Sequence, residues 1–247
     1  MLTKVQTMKD FKLHGIDGEV GKVKDFYFDD HYWTIRYLVA DTGDWLADRL
    51  VLISPYALSR VNREERNIKI NLTKKQILES PSSDTDKPVS RHFEEAYHSY
   101  YGWPNYWNGA YVWGHSPSIL GDHEKSAEPK PNAKPWDFHL RSILQVSGYD
   151  IQASDGEIGH VDDFVIDDAT WTIRYLIVDT KNWLPGKKVL ISPKWIERVS
   201  WKESKVIFDI NRESIKRAPE YSEKILLNRD FEEGLYKHYR RIGYWVA

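Results

Sequence analysis

One stretch of this chain occurs twice, and that repetition constrains the fold more than any other feature. Asp17-Gly18-Glu19-Val20-Gly21 returns as Asp155-Gly156-Glu157-Ile158-Gly159, and Trp33-Thr34-Ile35-Arg36-Tyr37 returns as Trp171-Thr172-Ile173-Arg174-Tyr175, at a constant offset of 138. The offset holds without a gap to Tyr106-Trp107, which fall on Tyr244-Trp245. Ungapped similarity over roughly 90 residues means one fold laid down twice, and a period this long is a small domain rather than a solenoid unit. The expected division is a first domain with a helical tail over residues 1–101, a linker over 102–137, and a second such domain over 138–247.

Composition narrows the chemistry. The chain has 247 residues and no cysteine, so disulfides, thiolate metal sites and a cysteine nucleophile are excluded. Basic and acidic side chains balance within each copy, 15 against 16 in residues 1–107 and 17 against 17 in residues 138–247. Such balance disfavours a large phosphate-binding footprint, and nucleic acid with it. No apolar run reaches the ~20 residues of a membrane span. The first residues lack a signal peptide's apolar centre, so a soluble cytoplasmic protein is expected. The unusual feature is aromatic content, with 11 Trp and 15 Tyr.

Local patterns predict mostly short strands. Asp17-Gly18 and Asp155-Gly156 are turn pairs of the hairpin type. Gly21 and Gly159 interrupt strand-like runs and mark a bulge or bend. Residues 33–39 alternate, with Trp33, Ile35, Tyr37 and Val39 on one face and Thr34, Arg36 and Leu38 on the other. Further short apolar runs at 50–53, 57–61 and 67–70 bring each copy to about six strands, a spacing that predicts a small closed β-barrel or a two-sheet sandwich. Helices follow: one near 71–78, with Thr73 and Gln76 at capping-box spacing, and one over 91–101, paired with 229–239. The fold class is therefore mainly β with α additions. Residues 81–90 form an exposed connection. The segment 102–137 is rich in proline and aromatics, its first part docked on a barrel and residues 120–135 free to move.

These residues resemble the PRC-barrel family. The resemblance rests on Asp155-Gly156-Glu157-Ile158-Gly159, Asp163-Phe164, Trp171 to Tyr175, and Val189-Leu190-Ile191-Ser192-Pro193. Leu140-Arg141-Ser142 and Gly148-Tyr149-Asp150-Ile151 fit the family's usual opening, whereas the first copy has Lys9-Asp10-Phe11-Lys12-Leu13 there. The resemblance implies two six-stranded barrels in tandem. The family includes the cytoplasmic domain of the photosynthetic reaction-centre H subunit and a domain of a factor that matures the small ribosomal subunit. Their shared property is a barrel that positions a partner rather than one that catalyses.

Candidate chemical motifs read as structure. Asp29-Asp30, Asp162-Asp163 and Asp167-Asp168 could offer oxygen ligands to a cation, but they lack the EF-hand spacing, and turn carboxylates bonding backbone account for them. Gly15, Gly18 and Gly21 have neither the dinucleotide nor the P-loop spacing. His92 and His98 stand six apart on a helix and do not share a face. Ser54 and Ser192 precede prolines and lack the nucleophile elbow. Arg36 and Arg174 are mid-strand cations, expected to pair with a carboxylate such as Asp41 or Asp179, or to stack on an aromatic ring. Glu94-Glu95 and Glu232-Glu233 read as a solvated helix face.

No catalytic, cofactor or metal set is therefore assigned. The structural set is Asp17, Gly18, Gly21 and Arg36 with Asp155, Gly156, Gly159 and Arg174. The candidate interaction surface is Tyr100, Tyr101, Trp103, Tyr106, Trp107, Tyr111 and Trp113, because aromatics dominate binding hot spots. The alternative is that these rings seal a barrel within the chain or across a homodimer. The functional expectation is a non-enzymatic adaptor or scaffold for an unidentified protein partner. Its alternatives are a small-ligand carrier or sensor using a cleft between the barrels, or an electron-transfer or RNA-processing accessory role implied by the resemblance.

Overall fold

A computed structural model of the protein describes residues 1–46, 49–82, 89–109, 111–115, 139–180 and 186–246. Trp136, most of the 81–90 connection and the linker from 116 to 137 lie outside the described residues. The first repeat runs β1 (Leu2–Lys4), α1 (Val5–Met8), β2 (Lys12–Gly15), β3 (Gly18–Asp29), β4 (Thr34–Asp41), β5 (Leu50–Ile53), β6 (Leu58–Asn62), β7 (Asn67–Ile70), α2 (Lys74–Leu78) and α3 (Arg91–Tyr101). The second runs β8 (Leu140–Ser142), α4 (Ile143–Val146), β9 (Asp150–Ala153), β10 (Gly156–Asp167), β11 (Thr172–Asp179), β12 (Lys188–Ile191), β13 (Ile196–Ser200), β14 (Lys205–Phe208), α5 (Arg212–Lys216) and α6 (Arg229–His238).

The chain divides into two compact units that do not follow the repeats at their openings. One comprises Thr7–Ile143 with Ala169–Thr172, and the other Met1–Gln6, Leu144–Asp168 and Ile173–Ala247. We call them the first and second units, after the repeat that builds most of each.

In the first unit, β3 pairs antiparallel with β2 and β4, with Leu13 opposite Gly21 and Phe26 opposite Leu38. β4 pairs with β5, β6 with β7, and β7 runs parallel to β2. β2 reaches only the first part of the long β3. The edge it leaves bare is taken by β8, from the second repeat, with Phe28 opposite Arg141. An added strand satisfies backbone groups that would otherwise form an exposed edge. The second unit repeats the plan with β9 to β14, and β1 fills the matching edge of β10, with Thr3 opposite Ile166.

The expectation of closed six-stranded barrels is corrected to an open mixed sheet. Among the described residues no pairing joins β5 to β6 or β12 to β13. Each junction is a 3-10 turn opened by Ser54-Pro55 or Ser192-Pro193, whose serine hydroxyl accepts the amide of Tyr56 or Lys194. Proline brings no N–H and the serine holds the turn, so the chain leaves one strand for the next without pairing them.

The repeated turn residues each have a defined task. The Asp17 carboxylate accepts the amide of Lys74, the first residue of α2, at 2.9 Å, and Asp155 accepts that of Arg212 at 2.8 Å. Gly18 and Gly156 take φ of 132° and 147°, which side chains rarely adopt. Thr73 and Gln76 form the expected capping box. At Gly21 (φ 151°) and Gly159 a Cβ would fall well inside contact with the carbonyl oxygens of Asp41 and Asp179. Gly21→Ala is therefore expected to lower stability by about 3 kcal/mol or more through strain and overpacking. Urea unfolding measures it, and an unchanged midpoint would remove this account of the repeated glycine.

Strand β4 is buried on both faces from Thr34 to Ala40, so the alternation seen in the sequence does not separate core from solvent. The strand starts one residue later than expected, because Trp33 and Trp171 take left-handed φ of 53° and 59°. The consequence for function is that Arg36 lies in the interior.

Candidate functional site

The densest chemistry in the first unit gathers where α3, β4 and the segment after α3 meet. Ser90 caps α3, its hydroxyl accepting the amide of Phe93 at 3.2 Å. The helix then places Arg91, Glu94 and His98 along one face, at the spacings three and four that bring side chains together. All three are buried, and Glu94 is 0% exposed. Gly102 ends the helix in the left-handed region (φ 68°), and the chain doubles back so that Tyr106 returns over the same face.

Glu94 is the centre of this network. Its Oε1 accepts from the Tyr37 hydroxyl at 2.9 Å and from the Tyr106 hydroxyl at 2.6 Å. Its Oε2 faces Arg91 Nη1 at 3.1 Å and His139 Nε2 at 3.1 Å. His139, which immediately precedes β8, also meets the Tyr106 hydroxyl at 2.8 Å through Nε2 and accepts from Arg91 Nη2 at 3.3 Å through Nδ1. On the other side, His98 Nδ1 donates to the Pro104 carbonyl at 2.9 Å, leaving Nε2 to face the Tyr37 hydroxyl at 2.9 Å.

Beneath Tyr106 lies a second buried ion pair. Arg36 donates to Asp29 Oδ2 at 3.2 Å and 3.0 Å, while Asp29 Oδ1 accepts the amides of His31 and Tyr32. The guanidinium sits 3.9 Å from the Tyr106 ring centroid and 4.7 Å from that of Trp113. A desolvated cation against aromatic faces is a favourable contact. Trp113 is anchored in turn by its Nε1, which donates to the Thr170 carbonyl at 2.8 Å.

Burial and charge set the protonation states. Burial drives the Glu94 pKa up, but the hydrogen bond and charge of His139, with Arg91, outweigh it and hold the group below its ordinary value. Burial likewise opposes ionisation of Asp29, and Arg36, the charge of His139 and the Tyr32 and His31 amides together outweigh it. Burial lowers the His98 pKa and keeps that ring neutral. It also pushes the Tyr37 and Tyr106 hydroxyls well above their usual range, with the Glu94 charge adding to the effect. The chemistry is that of one carboxylate held between two protonated tyrosines and two cationic or basic partners.

The second unit serves as an internal control. Glu232 Oε1 accepts from Tyr175 at 2.7 Å and Tyr244 at 2.9 Å, and Oε2 faces Arg229 at 3.2 Å. Arg174 pairs with Asp167 at 3.2 Å and lies 4.0 Å from the Tyr244 ring centroid. The carboxylate, two tyrosines and arginines are thus common to both units. The two histidines are particular to the first: Tyr236 stands at the position of His98, and Met1 at that of His139.

The seven aromatic candidates divide by exposure. Tyr106 and Trp113 lie in the interior. Tyr101 and Trp103 stack at 4.3 Å with an interplanar angle of 13° and are half-buried. Trp107 is half-buried beneath Arg91, 4.2 Å from its ring centroid. Tyr100 and Tyr111 are the most open, at 40% and 39%. Arg36 and Arg174 pair with Asp29 and Asp167, not with Asp41 and Asp179. The reading of Glu94 and Glu232 as solvated is corrected, since only their neighbours Glu95 and Glu233 face water. Arg-x-Phe-Glu-Glu in both copies was the available signal. Among the described residues no group of three or more His, Cys, Asp or Glu is placed to hold a metal ion.

The PRC-barrel domain profile matches residues 11–77 and 142–215. The chain belongs to the PRC-barrel domain family. It carries that domain twice, in tandem. Comparison with curated proteins finds no match. The PRC-barrel stretches include Asp29, Arg36 and Tyr37 with their counterparts. Helix α3, Tyr106 and His139 lie outside them, so this network joins each domain to elements beyond its match. No described helix is long and apolar enough to cross a membrane.

Proposed function

We propose that this tandem PRC-barrel protein is a non-catalytic adaptor that binds a protein partner through an apolar face around α2 in the first unit. One observation carries the reading: the two repeats differ in what they expose there. Ile16, Leu78 and Tyr100 are 69%, 54% and 40% exposed. Their counterparts are Ser154, Lys216 and His238. The three residues are tied to one stretch, since the Ile16 amide donates to the Leu72 carbonyl and the Tyr100 hydroxyl to the Gln76 carbonyl. Large apolar side chains held open by a fixed backbone are the usual anchors of a protein interface. The fitting partner presents an apolar pocket to this ridge.

Transplanting the second repeat's residues tests the reading. Ile16→Ser, Leu78→Lys and Tyr100→His together should leave stability within about 0.5 kcal/mol, as surface changes do. The same triple variant should weaken partner affinity at least about tenfold. Photo-crosslinking from position 78 identifies the partner, and titration against both proteins gives the ratio. Equal binding by the two would overturn the assignment of this face.

A further inference from the structure

Strand β8 is short and is held on β3 by backbone and side chains alike, the Ser142 hydroxyl donating to the Asp25 carboxylate. Leu140, Arg141 and Ser142 stand opposite Asp29, Phe28 and Tyr27. The Asp30 amide donates to the His139 carbonyl at 3.0 Å, and Arg141 pairs with Asp30 at 2.8 Å. Leu140 packs into a cluster with Tyr37, Phe93 and Tyr97. The deepest polar attachment is the His139 ring, on Glu94 and Tyr106. β1 makes the same backbone pairing in the second unit, where the Asp168 amide donates to the Met1 carbonyl at 3.1 Å. Met1 there is 76% exposed, and its terminal ammonium pairs with Asp168 at the end of β10, whereas His139 reaches the Glu94 network.

We propose that His139 is a proton-operated latch, fastening β8 to β3 through Glu94 when protonated and easing the strand off that edge when neutral. The groups facing the ring come from three elements. Glu94 and Arg91 project from α3, Tyr106 from the segment after it, and Asp29 and Asp30 from the end of β3. Burial and Arg91 oppose a charge on the ring. The Glu94 hydrogen bond and charge outweigh them, with Asp29 assisting, and His139 binds its proton more tightly than an ordinary histidine. A proton on Nδ1 also turns its contact with Arg91 Nη2 into donor against donor. Protonation therefore gives up the Arg91 contact and turns the Nε2–H···Glu94 hydrogen bond into a full ion pair.

The sign follows. A histidine whose pKa is raised by folding contributes stability in full below its unfolded value of 6.5 and loses it as pH rises through the higher folded value. Above that point the ring's charge no longer adds to the hold of backbone pairing, Leu140, the Arg141–Asp30 ion pair and the Ser142 hydroxyl on Asp25. The departure of β8 bares the backbone of residues 27–29 as an acceptor for an extended segment.

Hydrogen exchange on the full chain provides the test, with the buried β12 of the second unit as reference inside the same molecule. Protection of the Arg141 amide, divided by that of the Val189 amide, should fall at least about tenfold between about pH 5.5 and about pH 8.5. His139→Gln should flatten the ratio, and His98→Tyr, which installs the second repeat's residue, should keep the wild-type slope. Ring carbon chemical shifts of His139 in the wild-type chain should titrate above the ordinary histidine value. A flat wild-type ratio, an unchanged slope in His139→Gln, or a slope abolished by His98→Tyr would each overturn the latch. So would a His139 ring that titrates below the ordinary value, even if the glutamine variant failed to fold.

Discussion

Glu94→Ala should lower the unfolding free energy by about 3–5 kcal/mol, the cost of removing one partner from a buried charged network. Four groups lose their acceptor or counter-charge at once: the Tyr37 and Tyr106 hydroxyls, Arg91 and His139. All are held away from water; Tyr37 still has His98 Nε2 at 2.9 Å, but Arg91 and His139 lose the carboxylate that offsets their desolvation. Glu232→Ala is the paired experiment and should cost less, about 1–3 kcal/mol. Arg229 is 45% exposed against 10% for Arg91, so water can replace its lost carboxylate. Urea unfolding followed by tryptophan fluorescence gives both values, and an unchanged slope with denaturant would place the effect in the folded state. Equal losses at the two glutamates would contradict the assignment of the deeper network to the first unit.

Expressing residues 1–138 and 139–247 as separate chains should leave neither with a stable fold of its own. The cut removes β8 and Ile143 from the first unit, and β1 and Val5 from the second. Buried Leu140 and Ile143 alone represent about 1.5–3 kcal/mol each. The bare edges of β3 and β10 and the vacated His139 position add to that. The total is comparable with the roughly 5–15 kcal/mol that stabilises a typical domain. Each half is then expected to be largely unfolded or to associate through its open edge. Mixing the halves should restore cooperative unfolding, because each supplies the strand the other lacks. A half that unfolds cooperatively as a monomer, with the midpoint of the whole chain, would refute the mutual dependence.

The sequence and the structure meet where chemistry is local. The repeat identified the turn pairs at Asp17 and Asp155, the glycines facing Asp41 and Asp179, the capping box at Thr73 and the span of α3, because each depends on residues close in sequence. Arg36 was legible as a paired or stacked cation, but not its partner. Antiparallel pairing sets Asp29 opposite Thr34, two residues from Arg36 and on its face, whereas Asp41 lies at the strand's far end. Glu94 was misread for a related reason. A charged pair on a helix suggests water until a second element is known to cover one member. Here Tyr106 returns over Glu94 after the turn at Gly102, and His139 arrives from the next repeat. No pattern in the sequence says that a repeat's first strand will be lent to the other unit, since the three residues of β1 and β8 are too short to show a periodicity.

That exchange of opening strands also fixes an order of events at birth. Lys4 must wait for Val165 before its strand is paired, and Tyr27 for Ser142. At roughly 5–20 residues per second, synthesis separates the members of the first pair by on the order of ten to thirty seconds. During that interval the nascent polypeptide emerges with an incomplete sheet, and its closing step is deferred until translation is well into the second copy. A pause or premature stop in the later codons therefore leaves the earlier half unfinished as well.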